Sequence, residues 1–330
     1  MACAVTLSLL VGSGTALAEQ DRREVIGGEN RELNDHHFIT PLYGKSAFNN
    51  GAFGFSQGFG VLSFVAPEPE FDANGNLVGA TDVKHNIFLY FQDLFAQIGI
   101  LNYASVDLRA SGFAAVAGNA DDIISIGAFT NLNAGAFARG RFLTVHDIGI
   151  QLSGGFGANY DRTMNVSIRD YVDGVQNLID SIAQGNIDAA AADLDGVFKN
   201  AKLITTTTSV QLNPAIMLAW GMGPIGTQLT LQSSIDIDLD TSDLSATFGP
   251  DLHVAFDIGH YTEYFPFALT FEYALNAVVA GGSGTGHNIA GGIQFTGRRD
   301  INVGAFFAAD DVTNKTLSFM YGALNIQYYF

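Results

Sequence analysis

The sequence predicts an all-β fold: a transmembrane antiparallel up-and-down β-barrel of about twelve strands (ten to fourteen) carrying a helical hairpin insertion. Three observations carry this. Apolar and polar side chains alternate with a period of two over segment after segment, which gives a strand one greasy wall and one wet wall. The chain is 48% hydrophobic and only 15% charged, with 26 phenylalanines, so it must bury a very large core or face lipid. After the first residues no uninterrupted apolar run reaches the roughly eighteen residues of a membrane helix, which leaves strands to make the crossing.

Residues 1–18 read as a secretory signal, with an apolar core from Val5 to Val11 and Ala16 and Ala18 as the small residues before a cut at Glu19. No Lys or Arg precedes Arg22, so the true start is expected upstream. The single cysteine, Cys3, lies inside this signal, and a disulfide framework or cysteine metal site is thereby excluded from the processed chain. Residues 19–50 are polar and turn-rich, including Asp35-His36-His37 and Pro41. They are expected either as a tail outside the barrel or as a lumen plug, and partial insertion is favoured because a twelve-stranded interior must be filled.

The barrel is assigned to 51–330. Its clearest strand is 265–277, where Phe265, Phe267, Leu269, Phe271, Tyr273 and Leu275 oppose Ala268, Thr270, Glu272, Ala274 and Asn276. Glu272 in mid-strand requires a hydrated face. The pattern repeats in 227–238, 248–258 and 288–296. Less regular segments at 51–65, 83–94, 97–110, 122–137, 142–160, 205–221 and 301–309, with 316–330, bring the number to twelve, the even count expected of single-chain barrels. Short connections at 297–300, 259–261 and 221–224 alternate with longer ones at 66–82, 161–204 and 278–287. Pro214 and Pro250 fall inside strands and call for a bulge or local break; Pro266 suits a strand start.

One segment changes period. Ile168, Tyr171, Val172, Val175, Leu178, Ile179 and Ile182 recur every three or four residues, as do Ile187, Ala190, Ala191, Leu194, Val197 and Phe198 after Gly185-Asn186. This predicts an amphipathic helical hairpin over 163–202.

The last strand places Met320, Leu324, Ile326, Tyr328 and Phe330 on one face and stops on that aromatic. Together with the alternation and the signal, it resembles the bacterial outer-membrane β-barrel proteins, loosely the porin and long-chain fatty-acid transporter types. The resemblance implies the cell outer membrane of a Gram-negative bacterium. It also implies contact with outer-membrane lipid, and a terminal strand read by the barrel assembly machinery. The 19–50 segment then lies in the periplasm or the lumen. Trp220, Tyr264, Phe265, Tyr328 and Phe330 are expected as a membrane-facing girdle at the periplasmic strand ends.

Candidate chemistry is sparse. Asp236, Asp238, Asp251, His253, Asp257 and Glu272 share the polar faces of neighbouring strands and are expected as a lumen-facing acidic stripe, which would favour cations. His146 and His253 lack a Ser two residues away, as a barrel phospholipase would need, so no catalytic residue is assigned and the chain is not expected to be an enzyme. No metal site, cofactor or phosphate loop is expected, and a net charge of −18 argues against nucleic acid. The function expected is passive passage of a small solute through a lumen gated by the hairpin or the N-terminal segment. A structural or adhesion barrel with a closed lumen is the alternative, followed by a lipid-modifying enzyme.

Overall fold

The computed structural model describes residues 31–71, 77–100, 104–117, 129–166, 204–262, 264–310, 312 and 317–330. The signal at 1–18, and residues 19–30, lie outside the described residues. Two short strands, β1 (Glu32–Leu33) and β2 (His36–His37), form a hairpin of their own. Twelve strands then follow one another around a closed barrel. They are β3 (Ala52–Phe71), β4 (Leu77–Ile100), β5 (Ala104–Ala117), β6 (Phe129–Val145), β7 (Ile150–Val166), β8 (Ile204–Met222), β9 (Ile225–Asp238), β10 (Leu244–Asp257), β11 (Phe267–Ala280), β12 (Thr285–Phe295), β13 (Ile301–Asp310) and β14 (Leu317–Tyr329). Every neighbouring pair is antiparallel, and β14 closes the ring on β3 from Leu317↔Phe64 to Tyr329↔Ala52. Closure gives every strand a paired neighbour on both sides along the ring, the condition a spanning sheet must meet where water is absent; β3 beyond Phe64 and β4 before Ile87 extend past it.

The expected alternation is realised in full on β14: Tyr321, Ala323, Asn325, Gln327 and Tyr329 are buried, while Met320, Leu324, Ile326, Tyr328 and Phe330 are exposed. On β11, Leu269 and Phe271 face out while Ala268, Glu272 and Ala274 face in. The outer wall is thus apolar and the inner wall polar, the reverse of a water-soluble barrel.

Several boundaries differ from the sequence reading. β3 and β4 run on to Phe71 and back from Leu77, so most of the loop expected at 66–82 is strand. Pro67 and Pro69 are of one parity, so their missing N–H groups fall on one edge, and beyond Phe64 that edge has lost its β14 partner. β5, β6 and β7 start some seven residues later than expected. The segments marked 83–94 and 97–110 therefore divide at 101–103 instead. The loop expected at 278–287 is strand on both sides of 281–284. At Pro214, β8 stays paired to β7 through Phe156↔Pro214 but skips two residues against β9. At Pro250, β10 keeps Leu231 of β9 and skips two against β11. Each proline costs pairing on one side only, without a register slip. Of the span expected as a helical hairpin, 163–202, residues 163–166 belong to β7 and the remainder lies outside the described residues, which contain no α-helix.

Candidate functional site

The lumen is occupied by residues 31–50, a chain segment that enters and leaves at the short-turn end of the barrel. Its hairpin turn uses Asn34 and Asp35 at φ 48° and 62°, left-handed values that Asn and Asp tolerate better than most residues. The hairpin seats against the β8–β9 turn: Gly223 donates to the Asn34 carbonyl at 3.0 Å, and His36 Nδ1 lies 3.1 Å from the Gly223 carbonyl. A Cβ on Gly226 would collide with the His36 ring, so the glycine makes the seat. Arg31 stacks over Tyr329 at 3.2 Å, and Glu32 pairs with Arg299 at 3.2 Å.

Above the hairpin the segment divides the lumen into two environments. Towards β6 and β8, Leu33, Phe38, Ala47 and Phe48 pack with Phe137, Ala215, Met217 and Ala219 in an apolar cluster, Phe38 and Phe48 at 4.8 Å. Elsewhere the barrel wall binds the plug's backbone. Gln228 donates to the Ile39 carbonyl at 2.6 Å, Ser153 and Gln151 to that of Ala47 at 2.6 and 2.7 Å, and Arg139 and Gln97 to that of Phe48 at 2.7 and 2.9 Å. Glu272 does the converse. Its carboxylate accepts from the consecutive N–H groups of Leu42, Tyr43 and Gly44 at 2.6, 2.6 and 2.9 Å. Three successive main-chain donors converging on one anion form a nest, which holds a carboxylate without any cationic side chain.

The six residues of the expected acidic stripe lie at three depths. Asp251, His253 and Glu272 are buried at mid-barrel, with His253 and Glu272 facing each other across the β10–β11 ladder. Asp251 is pressed against Gly44, where a Cβ would strike its Oδ1. Asp236, near the long-connection end, meets Gln211 at 3.4 Å. Asp238 caps the β9–β10 turn by accepting from the N–H groups of Asp240 and Thr241. At the opposite end, Asp257 accepts from Gly259 N–H at 2.9 Å and Thr296 Oγ1 at 3.0 Å. Three of the six therefore contact or border the plug, and two serve turns.

The opposite wall carries charges that the sequence reading did not single out. Arg109 pairs with Asp93 at 2.7 Å, and Arg139 pairs with Asp107. Lys45 of the plug projects among these four groups. Burial pushes its ammonium down to about 8, opposed in part by Asp107 and Asp93 and reinforced by Arg109 and Arg139, which still leaves it charged at neutral pH. A cavity of about 330 Å³ runs beside the plug, lined by Lys45, both Arg–Asp pairs, His253 and Glu272, with Asn133, Asn159 and Gln294 among its polar walls. This volume is at the small end of ligand-binding cavities.

Outside, Trp220, Phe265, Tyr328 and Phe330 are about half exposed and Tyr264 almost fully exposed, all at the short-turn end. His146 is exposed on a single 3₁₀ turn between β6 and β7.

No family model and no curated protein matches the chain. Among solved structures it is similar to an outer-membrane channel from Pseudomonas putida F1, at 11% identity and a TM-score of 0.47 over 89% of this chain and 100% of that one. It is also similar to the translocator domain of the autotransporter NalP from Neisseria meningitidis, at 9% identity and 0.44 over 94% and 95%. A third is a FadL homologue from Pseudomonas aeruginosa, at 8% and 0.44 over 92% and 96%. These neighbours are outer-membrane β-barrels, and likeness at this level assigns no activity.

Proposed function

We propose that the chain is a passive outer-membrane channel for small solutes whose lumen is gated by residues 31–50. One observation carries the reading. The plug joins the barrel through side chain-to-backbone hydrogen bonds and a packed apolar cluster, and among the described residues it adds no strand to the barrel sheet. Each such bond contributes about 1 kcal/mol net, and each has a water-bonded alternative once the lumen is hydrated, so the seat is strong in sum and separable in parts. The hairpin expected at 163–202 is the other candidate gate. Bilayer lipid around the girdle and the assembly machinery at β14 are the partners in this reading, and neither His146 nor His253 is given a catalytic role.

The depth of plug burial favours a second reading, a structural or adhesion barrel whose lumen stays closed: Phe48, Ala47 and Asn49 have no exposed surface. Planar-bilayer recording separates the two. The channel reading expects openings from the full chain, and openings several-fold more frequent from Glu272→Gln, in which an amide N–H₂ replaces one of the oxygens that the plug N–H groups need. Silence from the full chain, from Glu272→Gln and from a chain lacking 163–202 decides for the closed barrel.

A further inference from the structure

The cavity beside the plug holds one cation that no carboxylate pairs. Lys45 is tied to Thr230 through its main-chain N–H and carbonyl at 3.2 and 3.1 Å, which fixes where its side chain starts. Its ammonium lies 5.3 Å from the Phe137 ring centre and, among the described residues, makes no hydrogen bond or ion pair. Of the neighbouring carboxylates, Asp93 pairs with Arg109 and Asp107 pairs with Arg139 through Oδ2, while Asp107 Oδ1 is buried without a hydrogen-bond partner and suits a hydroxyl donor. Across the cavity the Glu272 carboxylate is occupied by three plug N–H groups. Lys45 is thus a cation without an ion-pair partner, facing a polar space of about 330 Å³.

Two further groups along the same cavity point to a missing partner. Gln294 Oε1 and Arg139 Nε are buried without a hydrogen-bond partner in the structure. A buried amide oxygen needs a donor, and a guanidinium N–H needs an acceptor. Asn133 and Asn159 add both kinds of group towards the long-connection ends of β6 and β7. The site therefore offers one unpaired positive charge surrounded by groups suited to hydroxyls.

We infer that this cavity binds a small hydroxylated carboxylate monoanion, its carboxylate on Lys45 and its hydroxyls on the surrounding amides. The inference names a solute class for the channel and takes its physiological meaning from that reading. One cation without an ion-pair partner selects one negative charge, since a second would meet Asp93, Asp107 or Glu272. The expected acidic stripe pointed to cations instead; the side chain left without an ion pair in the cavity has the opposite sign.

The test is calorimetric titration of the full chain in a non-ionic detergent with sodium gluconate and with sorbitol, its neutral six-carbon counterpart. Gluconate is expected to bind saturably and about tenfold more tightly than sorbitol, the difference one charge-assisted hydrogen bond supplies. Lys45→Met is expected to lose that preference while keeping its sorbitol affinity, and Lys45→Arg to keep the preference. Equal binding of the two compounds by the unaltered chain overturns the inference, as does a folded Lys45→Met that still prefers gluconate. If Lys45→Met fails to fold, the gluconate-to-sorbitol contrast of the unaltered chain decides. A barrel that binds gluconate but never conducts removes the channel and leaves the site; one that conducts but ignores gluconate does the reverse.

Discussion

At the scale of single residues, the plug is held by groups whose partners are main-chain atoms, and this is why the sequence conceals them. Glu272 stands out in a strand as a carboxylate demanding a wet face, yet nothing near it in sequence announces that Leu42, Tyr43 and Gly44, some 230 residues away, will supply three N–H groups. Any residue except proline offers such a donor, so no side-chain motif exists to find. Lys45 is equally silent, lying in a stretch that reads as loop. His36 adds a pH dependence at the mouth. Burial is the main cause that lowers its pKa to about 4, outweighing the Gly223 carbonyl and Asp257, while His253 and His260 push the same way as burial. An undocked His36 binds its proton near pH 6.5, so between 6.5 and 4 the undocked state holds more protons and docking weakens as pH falls. Hydrogen exchange at the Phe38 and Gly223 amides, corrected for intrinsic rate, is therefore expected to lose protection by on the order of a hundredfold between those pH values. The same measurement on His36→Gln should show little change.

At the scale of strands, legibility tracked the contrast between the two faces. β9 through β14 could be placed within a few residues because large apolar side chains face out and Gln, Asn, Asp or Glu face in. β5 and β6 blurred because the contrast is lost there. On β6 the small residues Ala134, Ala136 and Ala138 face out while the bulky Phe137 faces in to meet Phe48 of the plug. A plug replaces the usual wet lumen with an apolar contact, and it thereby inverts the local pattern. The outer face of the regular strands makes a direct prediction. Phe271, exposed at the middle of β11 with Leu269 beside it, should not tolerate charge. Phe271→Arg is expected to lower barrel stability in lipid vesicles by about 2–4 kcal/mol, measured by denaturant titration. An effect near zero would mean that this wall does not face hydrocarbon.

At the scale of the whole molecule, the closed sheet and its lumen segment divide the work. The ring of strands satisfies its backbone internally, as a spanning structure must, and needs nothing from residues 31–50 to do so. The plug fills a space that a ring of twelve strands leaves too wide for its own side chains. The fold class was therefore legible from periodicity and composition, whereas the lumen depended on contacts between residues far apart in the chain. The most direct measurement uses Ala47→Cys with Ser153→Cys, because Ser153 Oγ donates to the Ala47 carbonyl at 2.6 Å and the pair joins plug to wall. In planar bilayers the oxidised pair should be silent and should begin to conduct on reduction. Equal conductance in both states would contradict the account, since solute would then be passing without the plug leaving its seat.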